Sequence, residues 1–287
     1  MRLTFLSGDW VARLSTKEQS HLVYGYQLDL NSVTAQMLAQ DKVAATTLLA
    51  EVGLPTVNHT LFMRPDQEGW VSENGVWSEI YQFAKKCNFR LVAKPNKGTR
   101  GNDVFFIHNP RELEAAVQQL WRDSRDLCLS KWEDIVTEYR LIMLDGEPLL
   151  VYAKEVPFLV ADGEQSVAEL FQDTPIPEGL SPEMVYPEGK KLHILQKSNL
   201  SGGAKPQILD ADNPIFGKLR QMAEKAVETL QMRFASVDII HTEEGEGELK
   251  VLELNSGLVG GAFIRALPEG YQIAKEVYRK VIRRMFV

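Results

Sequence analysis

Cysteine and histidine are scarce in this sequence, which has two cysteines and five histidines among 287 residues. Cys87 and Cys128 lie far apart, which fits free thiols in a reducing compartment. No spacing of cysteine and histidine is typical of a zinc site. Metal chemistry based on these two residue types is therefore not expected.

Long apolar runs and an excess of positive charge are also missing. No stretch approaches the roughly 20 apolar residues that a membrane-spanning helix requires. The start of the chain carries Asp9 and Arg13 and lacks the apolar centre of a signal peptide. The formal net charge of −7 argues against a general nucleic-acid surface, although it leaves a local basic cleft open. We therefore expect a cytoplasmic enzyme or binding protein that acts on neither membranes nor nucleic acids.

The patterns that are present alternate between helices and mainly antiparallel strands, which predicts the α+β class. A capped apolar stripe predicts one helix over residues 32–53. The dipeptide Asp145-Gly146 predicts a tight hairpin between two strands. A long helix is expected after Asn213-Pro214, and a final helix over most of Glu269–Phe286.

Charge inside an apolar strand is the least expected feature of the chain. The segment KVLELNSGL predicts a strand in which Glu253 and Asn255 stand two positions apart and face the same side. On strict alternation Leu252 and Leu254 fill the core, while Val251 lies on the side of the polar pair. Burying an unpaired carboxylate costs roughly several kcal/mol, so the pattern predicts a partner for Glu253.

A second carboxylate, Asp238, lies within the apolar segment FASVDII. The polar turn between the two segments predicts a hairpin that brings Asp238 near Glu253 and Asn255. Two carboxylates and an amide oxygen are hard ligands that suit Mg²⁺. With no divalent ion the two carboxylates would repel each other, and one would take a proton. The alternative is a partly solvated sheet face without a metal.

Two further segments combine glycines with basic residues. In LVAKPNKGTRGNDVFFI a strand delivers Lys94 and then a loop with Gly98 and Gly101, and such glycines can present backbone N–H groups to phosphate. No helix follows, so the segment is neither a P-loop nor a dinucleotide fingerprint. In KLHILQKSNLSGGAKPQ, Lys197 precedes Asn199 in a second such loop. Taken alone, each segment favours a charged hairpin tip or surface loop over a ligand site.

Taken together and in this order, the segments resemble the ATP-grasp superfamily of carboxylate–amine ligases, which includes glutathione synthetase, D-alanine–D-alanine ligase, cyanophycin synthetase and RimK-type ligases. The resemblance runs from about residue 31 to the C-terminus. It implies an ATP-grasp fold in which two α+β subdomains clasp ATP. The implied domains are a short N-terminal segment (1–35), an N-terminal subdomain with the glycine loop (36–130) and a C-terminal subdomain with the metal and substrate site (131–287).

The resemblance also implies roles for individual residues. The implied nucleotide-binding residues are Lys42, Lys94, Gly98, Thr99, Gly101, Lys131, Trp132, Glu133 and Glu138. Among these, the backbone of the segment from Lys131 meets adenine and Glu138 holds the ribose hydroxyls. The implied metal ligands are Asp238, Glu253 and Asn255. The implied catalytic residues are Arg140, Lys197 and Asn199. In the loop SNLSGGA one residue of the family's N-L-x-x-G-G pattern is missing before Gly202, and Lys197 stands where arginine is usual.

The implied function is ligation that depends on ATP and on one or two Mg²⁺, with Mn²⁺ as a substitute. A carboxylate would be activated as an acyl phosphate and joined to an amine of an amino acid or peptide. The alternatives are an ester-forming ligase, a kinase, or a non-catalytic module that senses ATP. Only about thirty residues precede the first helix, too few for a full α/β domain. We therefore expect a second copy or a partner subunit to supply that domain, or a large substrate to need an open site.

Overall fold

The computed structural model describes residues 1–64, 77–98, 103–123, 126–172, 174–177, 180–193, 200, 203–242 and 247–287. The chain begins with a four-stranded antiparallel meander of β1 (Arg2–Leu6), β2 (Val11–Ser15), β3 (Ser20–Tyr24) and β4 (Gln27–Leu28). The sequence analysis missed this sheet. Leu14 from β2 and Leu30 after β4 join the core formed with the last helices, which attaches the meander to the rest of the molecule.

A second four-stranded sheet has the order β5-β8-β6-β7. Its strands are β5 (His59–Phe62), β6 (Leu91–Pro95), β7 (Phe105–Ile107) and β8 (Leu127–Lys131), and all of their pairings are antiparallel. Helices α3 (Trp77–Lys86) and α4 (Pro110–Arg122) supply the side chains that cover one face. Asn109 caps α4 through its side chain, and Pro110 occupies the first helical turn, where its missing N–H costs no hydrogen bond.

A five-stranded sheet has the order β13-β10-β9-β14-β15. Its strands are β9 (Ile135–Leu144), β10 (Glu147–Glu155), β13 (Lys205–Ile208), β14 (Phe234–Thr242) and β15 (Leu249–Ser256). One face is covered by α1 (Val33–Gln40), α2 (Lys42–Glu51) and α6 (Phe216–Thr229). At one end of the other face, α7 (Gly261–Ala266) and α8 (Gly270–Met285) complete a second core. The opposite end of that face carries the charged residues of the candidate site.

A small module connects β10 to β13. It contains β11 (Phe158–Val160), α5 (Val167–Phe171) and β12 (Lys191–His193), with its own apolar core around Phe171. Ser166 and Glu169 form a capping box at the start of α5. No helix in the described part of the chain is long and apolar enough to cross a membrane.

Two details of the prediction are wrong. The helix expected over residues 32–53 is two helices, because Asp41 leaves the helical conformation and caps α2 by accepting from the N–H of Ala44. In β15 the alternation is interrupted, since Asp238 pairs with Glu253 while Ile239 pairs with Val251, which leaves Leu252 as an extra residue. Val251 is therefore buried with Leu254 in the core, and Leu252 is only half-buried.

The architecture is α+β, as predicted. The proposed domain boundaries stay predictions. Helices α1 and α2, which the proposed N-terminal subdomain includes for the most part, pack against the five-stranded sheet.

Candidate functional site

The strand register places four charged side chains on the uncovered end of the five-stranded sheet. Arg140 on β9 lies opposite Asp238 on β14, and Glu138 on β9 lies opposite Lys154 on β10. Arg140 donates to both oxygens of Asp238, with Nε–Oδ1 at 2.7 Å and Nη2–Oδ2 at 2.5 Å. Lys154 Nζ donates to Asp238 Oδ1 at 3.1 Å and also to Glu138 Oε1. The four side chains form one connected network, which we call the charge network.

Burial and mutual attraction set the protonation of the charge network. Burial alone would raise the pKa of Asp238, but Arg140 and Lys154 outweigh it and hold this pKa well below its usual range. Burial raises the pKa of Glu138, and Lys154 opposes that rise. For Lys154 burial lowers the pKa, yet Asp238 and Glu138 raise it above its ordinary value. Asp238 is therefore an anion at neutral pH, held between two cations.

Glu253 and Asn255 lie beside the charge network on β15. Glu253 pairs with Asp238 across the strands, and Asn255 pairs with Ser236. Asn255 Nδ2 donates to Glu253 Oε1 at 3.2 Å, and both side chains are half-buried. Two carboxylates and an amide oxygen thus share one sheet face, a donor set that fits Mg²⁺. In the described residues no cluster of three or more His, Cys, Asp or Glu has the arrangement of a metal site, so the amide is needed to complete this set.

The candidate phosphate lysines come from the four-stranded sheet and from α2. Lys94 on β6 is 8% exposed and lies opposite Cys128 on β8. Burial lowers the pKa of Lys94, and acidic groups nearby, Cys128 first and then Glu253, oppose the shift. Because Glu253 and, more weakly, Glu138 act on this pKa, Lys94 lies within electrostatic range of acidic residues of the other sheet.

Lys42 stands at the first position of α2 because Asp41 breaks the helix just before it. Its Nζ donates to the carbonyl oxygens of Asn96 at 3.2 Å and of Gly98 at 3.1 Å. Asn96 is buried and ties the loop to the helix, accepting from the N–H of Val43 and donating to Asp41. The ammonium of Lys42 is therefore fixed at the start of the predicted glycine loop.

The linker between the two sheets contains the predicted adenine residues. Lys131 ends β8, and the ring of Trp132 packs against Phe106, with 4.6 Å between the ring centroids. Glu133 accepts from Lys250 at 2.9 Å. A cavity of about 280 Å³ opens at this point. Its lining residues are Pro55, Thr56, Asn58, Lys131, Glu133, Glu248 and Lys250.

Several predicted residues lie outside the described part of the chain. These are Thr99 and Gly101 of the glycine loop, and Lys197 and Asn199 of the second loop. The described residues bring together Arg140, Glu138, Asp238, Glu253 and Asn255, and Lys94 lies within electrostatic range of Glu253 and Glu138. Lys42 and Gly98 meet each other at the loop entrance.

The sequence analysis missed two residues at the site. Lys154 is 6% exposed and contacts two acids of the charge network. The hairpin at Asp145-Gly146 alone could not have revealed it, because the register set by that turn pairs Glu138 with Ala153. A bulge between Pro148 and Leu150 shifts the register and brings Lys154 opposite Glu138. His59 on β5 is buried, and burial together with Lys94 and Lys42 holds its pKa well below the ordinary value. Its Nε2 has no hydrogen-bond partner among the described residues, and no sequence pattern marks it.

Comparison with known proteins adds distant relatives. No model of a known protein family matches the chain. The chain is 22% identical over 242 residues to the cyanophycin synthetase of Nostoc sp. (strain PCC 7120), covering 75% of this chain and 25% of that protein. It is 20% identical over 261 residues to the glutathione biosynthesis bifunctional protein GshAB of Streptococcus thermophilus, covering 79% of this chain and 32% of that protein. The chain thus spans about a quarter to a third of the length of these relatives.

A solved structure has a fold similar to that of this chain. The D-alanine–D-alanine ligase of Bacillus anthracis, complexed with ATP, matches with a TM-score of 0.54 at 12% identity. The match covers 88% of this chain and 71% of that ligase. Likeness at this level of identity establishes a shared fold.

Proposed function

Because the chain has the ATP-grasp fold, as its sequence resemblance predicts, we propose that it is an ATP- and Mg²⁺-dependent ligase that joins a carboxylate to an amine. Its relatives include a cyanophycin synthetase and a glutathione biosynthesis protein, which supports an amino acid or peptide as the source of the amine. The proposed reaction converts ATP and the carboxylate to ADP and an acyl phosphate. The amine then attacks the acyl carbon, and phosphate leaves as the amine loses a proton.

The observation that carries this proposal is the charge on the two facing surfaces. The four-stranded sheet presents the buried cation Lys94, and the five-stranded sheet presents Asp238, Glu253 and Asn255. A triphosphate between them meets a lysine on one side and hard metal ligands on the other. The solved neighbour that contains ATP supports nucleotide in this cleft.

The residues of the chain have distinct tasks in this proposal. Lys42 and Lys94 offset the negative charge of the phosphates during transfer. Arg140 or Lys197 neutralises the oxyanion that forms when the amine attacks, and Asn199 is the third residue of the catalytic set. Asp238, Glu253 and Asn255 hold one or two Mg²⁺, for which Mn²⁺ is a substitute. When bound, this ion neutralises charge on the transferring phosphoryl group.

The linker and the glycine loop complete the nucleotide site. The backbone from Lys131 to Glu133 binds adenine, while Glu138 binds the ribose. The loop that contains Gly98, Thr99 and Gly101 covers the phosphates and excludes water, which would otherwise hydrolyse the acyl phosphate.

We also propose that the protein works in the cytoplasm, where its free cysteines stay reduced. Its substrates are small molecules or peptides, and its surface has no role in binding nucleic acid. A second copy of the chain or a partner subunit is the proposed protein partner, and a large substrate at an open site is the alternative. An ester-forming ligase, a kinase and an ATP-sensing module are the competing functions.

The proposed reaction is tested by product analysis. The protein is incubated with Mg-ATP and mixed amino acids, and ADP, phosphate and new masses are measured. Substrate-dependent release of ADP with free phosphate supports a ligase. ADP with a phosphorylated product and no free phosphate supports a kinase, and binding without turnover supports a sensor.

The metal ligands are tested by Glu253→Gln, which keeps the size of the side chain but removes its charge. We expect turnover to fall by at least about a hundredfold, the scale of one lost electrostatic contact to the transition state. The matched control is Glu147→Gln on the exposed end of β10, which should keep full activity. Full turnover by Glu253→Gln would show that the metal assignment is wrong.

A further inference from the structure

Asp238 differs from the other proposed metal ligands because two cationic side chains donate hydrogen bonds to it. Its Oδ1 accepts from Arg140 Nε at 2.7 Å and from Lys154 Nζ at 3.1 Å, and its Oδ2 accepts from Arg140 Nη2 at 2.5 Å. The side chain is only 1% exposed. Oδ2 retains one lone pair outside these contacts, but the side chain is buried, so a divalent ion reaches Asp238 only by approaching two positive charges.

The charge network is balanced without a metal. Two carboxylates, Asp238 and Glu138, face two cations, Arg140 and Lys154. No excess negative charge within the network draws a divalent ion to Asp238. Among the described residues, in contrast, Glu253 accepts one side-chain hydrogen bond, from the neutral amide of Asn255 at 3.2 Å, and no cation contacts it directly. These two residues are therefore available to bind a metal.

Of the two cations that contact Asp238, Arg140 is the one that can move away from it. Its side chain is 24% exposed, while that of Lys154 is 6% exposed and is also held by Glu138. The guanidinium now forms a two-point contact with a carboxylate, and the same planar group forms an equally good contact with phosphate. A phosphate in the cleft can therefore take Arg140 from Asp238.

We propose that Arg140 is a positioning residue that keeps Asp238 from divalent metal until a nucleotide phosphate takes its guanidinium. This inference rests on the proposed function, since it requires ATP in the cleft. It predicts that nucleotide and metal bind with positive coupling through Arg140. In the nucleotide-free protein the metal meets only Glu253 and Asn255 and binds weakly.

The test measures binding of Mn²⁺ without nucleotide, by the electron paramagnetic resonance signal of the free ion. Arg140→Gln removes the charge that covers Asp238, and we expect its affinity for Mn²⁺ to exceed that of the unmodified protein by about tenfold, within the usual range of coupling between sites. The control is Arg220→Gln, which removes an exposed arginine that pairs with Glu147 and Glu224. Its affinity for Mn²⁺ should stay unchanged.

A second variant keeps the test decisive if Arg140→Gln does not fold. Arg140→Lys retains the charge but cannot contact both oxygens of Asp238 in a planar arrangement. Its affinity for Mn²⁺ should therefore lie between those of the unmodified protein and of Arg140→Gln. In EDTA, where no metal is present, both variants should bind ADP less tightly than the unmodified protein. Equal affinity for Mn²⁺ in the unmodified protein and the folded variants overturns the inference.

Failure of this inference and failure of the proposed function give different results. If the unmodified protein binds Mg-ADP but the Arg140 variants bind Mn²⁺ no better, the inference is wrong and the function stands. If the protein binds no adenine nucleotide with or without Mg²⁺, the proposed function is wrong.

Discussion

The two sheets that contribute residues to the candidate site stabilise their charges in opposite ways. On the five-stranded sheet, Asp238 is already neutralised by Arg140 and Lys154 inside the protein. Across the cleft, Lys94 is buried in the four-stranded sheet, and its burial lowers the pKa of the ammonium. The surroundings stabilise the charged form of Asp238, whereas they destabilise the charged form of Lys94.

This difference distinguishes residues that stabilise the fold, such as Asp238 and its partners, from residues such as Lys94 whose charge is compensated only when a ligand binds. Removing one partner from a buried, balanced set leaves an uncompensated charge, which is costly. Removing a buried charge that its surroundings destabilise removes the free-energy cost of burying that charge. Stability measured without nucleotide should therefore respond strongly to changes on the acidic side and weakly on the lysine side.

The largest expected effect is that of Asp238→Asn. This variant leaves the buried Lys154 and the partly buried Arg140 without their shared carboxylate, and we expect the free energy of unfolding to fall by about 3–5 kcal/mol. Denaturant unfolding of both proteins gives the difference. The contribution of Asp238 should be constant above its ordinary pKa of 3.8 and should shrink as the pH falls, because the folded protein holds this pKa lower than the unfolded chain.

The matched control is Asp145→Asn at the tip of the hairpin between β9 and β10. Asp145 also accepts from two arginines, Arg233 and Arg284, but their side chains are about half exposed. We expect a loss of about 1 kcal/mol or less, as for surface ion pairs. An equal loss in the two variants would contradict a special role for burial at Asp238.

A smaller effect is expected for Lys94→Met, which replaces the buried ammonium by an apolar chain of similar length. Stability without nucleotide should stay the same or rise by up to about 1 kcal/mol, since a desolvated charge is removed. Affinity for ADP should fall about tenfold, equivalent to about 1.4 kcal/mol. Calorimetric titration measures the affinity, and the exposed Lys97→Met is the control from the same loop.

The pH dependence of ADP binding sharpens the same test. A lysine loses its charge as the pH rises through its pKa. Burial lowers the pKa of Lys94 below its ordinary value of 10.5. Affinity in the unmodified protein should therefore begin to fall at a pH below 10.5. A Lys94→Met variant with the same alkaline fall in affinity would assign the titration to another group.

Much of this site was predictable because its residues interrupt apolar strands. Glu253 and Asp238 stand out on that ground, and the hairpin that pairs them follows from the polar turn between two apolar segments. The bulge at Leu252 was not predictable, because alternation alone gives no sign of an extra residue. For this reason Val251 lies in the core and not on the site face.

The other misses also have physical reasons. Residues 2–28 form a meander, yet its edge strand β1 is short and largely exposed. Leu3 and Phe5 alternate with polar residues but lie exposed, so the alternation does not mark a buried face as it usually does. The break between α1 and α2 depends on Asp41, whose side chain bonds both to Ala44 and to Asn96. The second contact joins residues far apart in the sequence, and local patterns do not contain it.

That break supplies the smallest predicted effect, from Asp41→Ala. The change removes the cap of α2 and the bond to Asn96, and we expect a loss of about 1 kcal/mol in stability. The control is Ser32→Ala, which removes the corresponding cap of α1, where Ser32 accepts from Ala35. Both variants should lose similar stability, but only Asp41→Ala should also weaken ADP binding, because Asn96 helps to hold the ammonium of Lys42. Unchanged ADP affinity in Asp41→Ala would mean that the helix break does not position Lys42 for phosphate.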